Sequence, residues 1–162
     1  MGPEGVTIDP KLCTGCHLCE LICSTYHFGK SSVELSRVIV YKDEASARFT
    51  PTLCVSCPGM PCAKACPTGA IVKNESTGMP EVMVSMCSSC GECAKACPYM
   101  AVRFEASVHA YPLICDLCGG DPQCVKVCWP GALTKTVTAQ ERFRGAAEAR
   151  AVIFEIISKY RR

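Results

Sequence analysis

The sequence predicts a small α+β fold built from duplicated cysteine-rich units and closed by a C-terminal helix. Three observations predict it: sixteen cysteines in 162 residues that sort into four motifs, short apolar segments between those motifs, and a tail with helical spacing. The length suits one compact body, and 49% hydrophobic with 20% charged residues excludes a disordered chain. No stretch approaches the roughly 20 apolar residues of a membrane span, so direct membrane insertion is not expected. Met1 to Pro10 carries no basic n-region, apolar h-region or twin-Arg pair, so a cytoplasmic location is expected.

The first motif is Cys13, Cys16, Cys19 and Cys23, spaced C-x2-C-x2-C-x3-C. The second is Cys54, Cys57, Cys62 and Cys66, spaced C-x2-C-x4-C-x3-C, and Pro67 follows at once. Tight spacing returns in the third, Cys87, Cys90, Cys93 and Cys97, ahead of Pro98. The fourth is Cys115, Cys118, Cys124 and Cys128, a C-x2-C-x5-C-x3-C run ahead of Trp129 and Pro130. No cysteine is left over. The string CAKACP occurs at Cys62 to Pro67 and again at Cys93 to Pro98, which marks a duplication.

Three closely spaced cysteines wrap one face of a cubane, and the fourth points elsewhere. This is the bacterial ferredoxin run, in which the fourth Cys ligates the other cluster of a pair. Zinc also takes C-x2-C pairs, but tetrahedral zinc has no use for a third and fourth cysteine repeated identically four times. Eight disulfides are disfavoured in a reducing cytoplasm. The formal charge of +2 counts every thiol as neutral. An oxidised cubane on four thiolates carries roughly −2, which takes the total to about −6 and leaves nucleic-acid binding with little support.

Between the motifs, Arg37 to Tyr41, Ala70 to Lys73, Glu81 to Ser85 and Ala101 to Glu105 read as strands. Asn74 to Pro80 is a turn, and Ser24 to Ser36, with Tyr26, His27 and Phe28, is a longer loop. A duplicated bacterial-ferredoxin-like body of two dicluster modules results. Its interior is expected to be clusters rather than a large aliphatic core, so loss of metal should unfold it. Thr138-Ala-Gln-Glu141 is a capping-box signature ahead of an amphipathic helix over Gly145 to Tyr160. Ala146, Ile153, Ile156, Ile157 and Tyr160 form its apolar face, and Arg144, Glu148, Arg150, Glu155 and Lys159 its polar one. That face either packs on its own body or docks a partner. The expected division is 1–138 for the four-cluster domain and 139–162 for the C-terminal helix.

Other residues carry two readings each. His17, inside the first motif, faces solvent or tunes the nearby cluster. Trp129 and Tyr99 follow cluster ligands and are expected to shield a cubane from water. Lys64 and Lys95 offset cluster charge or face solvent, and Lys159, Arg161 and Arg162 form a solvated end.

The segments CTGCHLCELIC, CVSCPGMPCAKACPTGAI, CSSCGECAKACPYMAV and CDLCGGDPQCVKVCWPGAL resemble the four-cluster iron-sulfur subunits that accompany molybdopterin and tungstopterin oxidoreductases, hydrogenases and carbon monoxide dehydrogenases. The resemblance covers roughly residues 5 to 135 and implies ligand sets that cross between the first and fourth motifs and between the second and third. One outer cluster would use Cys13, Cys16, Cys19 and Cys128, and its twin Cys115, Cys118, Cys124 and Cys23. One inner cluster would use Cys54, Cys57, Cys62 and Cys97, and the other Cys87, Cys90, Cys93 and Cys66. Some relatives replace one Cys with Trp and build a three-iron cluster; every motif here is complete, which implies four 4Fe-4S clusters.

The segment STYHFGKSSVELSRVIVYKDE looks most like the small polyferredoxin subunits beside tungsten aldehyde oxidoreductases and related benzoyl-CoA reductases. The implied function is electron relay between a tungsto- or molybdopterin catalytic subunit and a further redox protein, for example one that binds flavin or NAD. A hydrogenase, formate dehydrogenase or carbon monoxide dehydrogenase partner, or a free polyferredoxin shuttle, is the alternative. A radical-enzyme activase needs a C-x3-C-x2-C site, which is absent, and no nucleotide-binding glycine motif appears. No catalytic residue is nominated, so the chain is not an enzyme on its own. A body of this length has a radius of gyration of about 15 Å, so four clusters inside it must be close neighbours.

Overall fold

The computed structural model describes residues 5–160, so Met1 to Glu4 of the leader reading and Arg161 and Arg162 of the solvated end lie outside the described residues. The α+β architecture is three two-stranded antiparallel sheets joined by motif loops and short helices, with one long helix across the outside.

Strand β1 (Gly5–Ile8) pairs with β6 (Leu133–Thr136), from Gly5 opposite Thr136 to Ile8 opposite Leu133. Because β1 leads into the first motif and β6 leaves the fourth, this pairing holds the first and fourth motifs together. Helix α1 (Leu18–Phe28) and helix α4 (Gln123–Val127) pack against each other on the same side and complete an outer module. The inner module repeats the plan. Strand β4 (Ile71–Lys73) leaves the second motif and pairs with β5 (Pro80–Val82), which enters the third, while α2 (Pro61–Lys64) packs on α3 (Glu92–Ala96). Asn74 closes the β4–β5 turn, its side-chain oxygen accepting from the N–H groups of Ser76 and Thr77.

The third sheet, β2 (Ile39–Asp43) with β3 (Arg48–Thr52), connects the modules. Across that junction, Glu20 of α1, 2% exposed, holds Arg103 at 2.7 Å, and Arg103 also donates to the Val38 carbonyl. Helix α5 (Ala139–Tyr160) lies over β1, β2 and β3 and buries Ala146, Ala149, Ile153 and Ile156. Gly145 permits this close seat, since a Cβ there would sit 2.3 Å from the Ile8 carbonyl oxygen. At the far end, the Asp43 carboxylate accepts from Lys159 and from the Tyr160 hydroxyl, so these two residues are anchors. Packing on its own body is therefore what this helix does.

Several expectations need correction. Ala101 to Glu105 makes a single bridge, Arg103 to Leu113, instead of a strand. The loop from Ser24 begins as helix, because α1 runs on to Phe28 and ends only where Gly29 turns left-handed and its N–H returns to the Thr25 carbonyl. The helix over Gly145 to Tyr160 starts earlier, at Ala139, as the capping box itself implies. The interior is also not made of cysteine alone: Val6, Ile8, Val38, Val40, Leu53 and Leu133 form an aliphatic core within the outer module.

Candidate metal centre

All sixteen cysteines are free thiols. In each motif the residue just before the second cysteine is left-handed: Gly15, Ser56, Ser89 and Leu117 have φ of 69°, 53°, 55° and 59°. Four repetitions of one sparsely populated turn curl each loop so that its first three cysteines face a common point. The fourth cysteine, after an intervening helical turn, faces away. It sits on α1 for Cys23 and at the ends of α3 and α4 for Cys97 and Cys128.

Space and charge then sort the thiols into four groups. Cys13, Cys16, Cys19 and Cys128 line one pocket, walled mainly by Leu18, Val40, Pro51 and Leu133. Cys66, Cys87, Cys90 and Cys93 line a second, with Ala70, Ile71 and Pro112. Burial, then the neighbouring Cys115, Cys23 and Cys118, push the Cys124 thiol far above its ordinary value. Burial and then Cys97 and Cys62 raise Cys57. Each group thus takes three thiols from one motif and one from its partner motif.

The groups also neighbour one another: if ionised, Cys19 would raise the Cys124 thiol, Cys115 that of Cys54, and Cys62 that of Cys93. Burial raises Cys19 and Cys115 to about 12 and Cys93 to about 11, so these thiols stay protonated at neutral pH until a metal displaces the proton. Cys66 differs: desolvation acts upward, but the Thr68 hydroxyl and the N–H groups of Thr68, Ala70 and Ile71 outweigh it and pull the thiol down.

Residues 45–138, more than half of the chain, match the 4Fe-4S dicluster domain, and residues 12–71 match a second family of the same description. The chain belongs to the 4Fe-4S dicluster domain family. Among curated proteins, it is 42% identical over 86 residues to the polyferredoxin-like subunit of an aliphatic sulfonate oxidoreductase from Pyrococcus furiosus, covering 53% of this chain and 49% of that one. It is 38% identical over 87 residues to formate hydrogenlyase subunit 2 of Escherichia coli, covering 52% and 40%. The chain thus spans about half or less of the length of the curated relatives it matches. Among solved structures, a chain of the active-site complex BamBC of benzoyl coenzyme A reductase with 1,5-dienoyl-CoA aligns over 96% of this chain and 97% of that one, at 26% identity and a TM-score of 0.48.

The residues of this dicluster-domain chain fit iron-sulfur clusters on their own chemistry. Each group offers four thiols, and the two open pockets have largely apolar walls around them, with Cys16 and Cys90 at the surface. All four fourth cysteines accept a backbone N–H: Cys23 from Arg37 at 3.3 Å, Cys66 from Ala70 at 3.2 Å, Cys97 from Ala101 at 3.3 Å and Cys128 from Leu133 at 3.3 Å. Such donors stabilise thiolate sulfur and tune a cluster's potential.

The flanking residues divide. His17 is not simply solvent-facing, since it opens α1 in a left-handed conformation and holds Glu20 at 2.5 Å. Trp129 is 71% exposed and does not serve as a shield. Tyr99 is half-buried, and Lys95 is paired to Glu92 at the surface. Sequence reasoning missed His27, whose Nε2 lies 3.7 Å from Cys118 Sγ and 3.4 Å from Asp116, itself paired to Arg37 at 2.5 Å. The available signal was the four-residue step from Cys23 to His27, which shares one face once α1 continues.

Proposed function

We propose that this chain relays electrons through four 4Fe-4S clusters between the catalytic subunit of an oxidoreductase and a second redox partner, and performs no bond chemistry of its own. The observation that carries this reading is the crossed grouping of thiols. It supports one cluster on Cys13, Cys16, Cys19 and Cys128, one on Cys115, Cys118, Cys124 and Cys23, one on Cys54, Cys57, Cys62 and Cys97, and one on Cys87, Cys90, Cys93 and Cys66. Each bound cubane would supply a single-electron store. The chain's residues do the rest: they space the groups, exclude water with Val40, Leu133 and Ile71, and donate N–H groups to sulfur.

The mutual influence of Cys19 on Cys124, Cys115 on Cys54 and Cys62 on Cys93 supports a sequence of four neighbouring groups. Its end groups contain the two exposed cysteines, Cys16 and Cys90. Each neighbours exposed apolar side chains, Leu12, Leu18 and Trp129 around the first motif and Met83, Val84 and Met86 ahead of the third. Electrons would therefore enter at one end and leave at the other.

For the catalytic partner we infer a pterin-bound tungsten or molybdenum subunit, with a tungsten-containing aldehyde oxidoreductase first. The cysteine segments and the likeness to a polyferredoxin-like oxidoreductase subunit support it. The likeness to a formate hydrogenlyase subunit favours the second reading, a hydrogenase or formate dehydrogenase partner. Among the described residues no helix is long and apolar enough to cross a membrane, and sixteen free thiols suit a reducing cytoplasm. The functional division we propose is 1–138 for the relay and 139–162 for the helix that braces it.

Anaerobic isolation of the native complex, followed by assays for tungsten, molybdenum, nickel and flavin, tests the partner. Tungsten in the companion is the expected result. Nickel without tungsten or molybdenum would favour the second reading, and a chain that purifies alone with full iron would make it a free shuttle.

A further inference from the structure

Partly buried guanidinium groups in this chain meet carboxylates: Arg37 faces Asp116 and Arg103 faces Glu20. Arg142, on the first turn of α5, is more deeply buried at 3% exposure, and its Nε and Nη1 find no acceptor. Among the described residues no carboxylate pairs with it; burial pulls its pKa down, and the neighbouring Cys54 sulfur, once ionised, would act against that. A guanidinium cannot shed its proton to escape burial, so an unanswered one is heavily destabilising.

The surroundings are built to keep it there. A Cβ on Gly5 would lie 2.1 Å from Arg142 Cδ, so the side chain crosses bare backbone at the start of β1. Beyond it, Arg142 shares the wall of a pocket of about 580 Å³ with Cys57, Ser56 and Lys73, and no carboxylate lines that pocket. Arg142 therefore reaches the neighbourhood of two thiols of one ligand group, Cys54 and Cys57, and carries a charge that protein atoms leave unanswered. Lys64, Lys95 and Lys126, the lysines inside the motifs themselves, are exposed instead.

We propose that Arg142 is the built-in counter-charge of the cluster held by Cys54, Cys57, Cys62 and Cys97, and that it raises that cluster's reduction potential. The inference rests on the four-cluster reading above. Reduction adds one electron and no proton to a group that is already anionic, and a fixed positive charge at short range in a dry site favours that more negative state. Cys54 also adjoins Cys115 of the outer module, so the tuned station stands at the hop between modules. The C-terminal helix thereby sets an electronic property of the relay besides bracing it.

The test compares Arg142→Met and Arg142→Lys with the wild type as anaerobically loaded full chains, by iron content and then by redox titration followed by electron paramagnetic resonance. Arg142→Met should keep its iron while one midpoint falls by at least a tenfold change in the one-electron equilibrium, about 59 mV, and the other three stay put. The shifted signal should be the one altered in Cys57→Ser. Arg142→Lys should restore most of the shift. If Arg142→Met loses iron, Arg142→Gln is titrated in its place and must show the same fall in one midpoint. Full iron with no shift in Arg142→Met, or equal effects in both variants, would overturn it. A wild-type chain without iron would instead defeat the cluster reading itself.

Discussion

The outer and inner modules share one plan and differ in what holds them. In the outer module, Cys19, Cys23, Cys115 and Cys124 are embedded among Val6, Ile8, Val38, Val40, Leu53 and Leu133, under the cover of α5. In the inner module, helices of four and five residues and strands of three enclose a core whose aliphatic members are Ile71, Val102 and Ile114. A helix of that length has no stability of its own, and three aliphatic side chains cannot offset the entropy of ordering fifty or so residues. One motif can therefore be repeated on two levels of support, with metal ligation supplying what the inner core lacks.

The largest effect that would expose this difference is removal of iron. Anaerobic chelation, followed by hydrogen exchange, should abolish protection across α2, α3, β4 and β5 while part of it survives in β1, β6 and α5. Equal loss in both modules would break the comparison. Next in size is the junction. Replacing Glu20 by Gln leaves Arg103 without its carboxylate in a buried site and should cost about 3–5 kcal/mol in anaerobic denaturant unfolding of the loaded protein. Replacing both by apolar residues should recover much of that loss.

A core truncation sharpens the contrast between modules. Leu133→Ala, at a side chain 1% exposed, should cost about 2–5 kcal/mol, whereas Val72→Ala, 40% exposed on the inner sheet, should stay within about 0.5 kcal/mol in the same assay.

The smallest effect concerns the far end of α5. Hydrogen bonds from Lys159 first, then Ser46 and Tyr160, hold the Asp43 carboxyl well below the usual carboxylate range. Because the folded pKa is depressed, the stabilisation is complete above the unfolded value of about 3.9 and fades as pH falls below it. Protease sensitivity near residue 155 should therefore exceed wild type in Asp43→Asn at neutral pH, and that gap should persist down to about pH 4 and narrow only as pH falls further below it.

The candidate site was largely legible because cluster chemistry writes itself into local spacing: all four motifs, complete with their sixteen thiols, are short-range patterns. The proposed crossing of ligand sets is a tertiary property and reached the sequence reading only through resemblance. β2 and β4 were found within two residues of their true bounds, since each alternates within a few residues of a turn, whereas the expected strand from Glu81 to Ser85 meets β5 only at Glu81 and Val82 and runs into a 3-10 turn over Val84–Met86. β1 and β6 were missed because four residues carry too little pattern and their partners are at opposite ends of the chain. β3 was hidden by Pro51, which is tolerated because every strand of a two-stranded sheet is an edge. Arg142 left no signal, for nothing in a helical pattern distinguishes a buried arginine from a solvated one.

The central claim is that four cubanes occupy four crossed thiol groups. Native mass spectrometry of the anaerobically prepared chain, with iron and sulfide assayed on the same sample, tests it most directly. The account predicts four cluster increments and about sixteen irons per chain, falling by one cluster in Cys128→Ala and leaving Cys115, Cys118 and Cys124 loaded. Half that iron in the wild type, or zinc in its place, would contradict it.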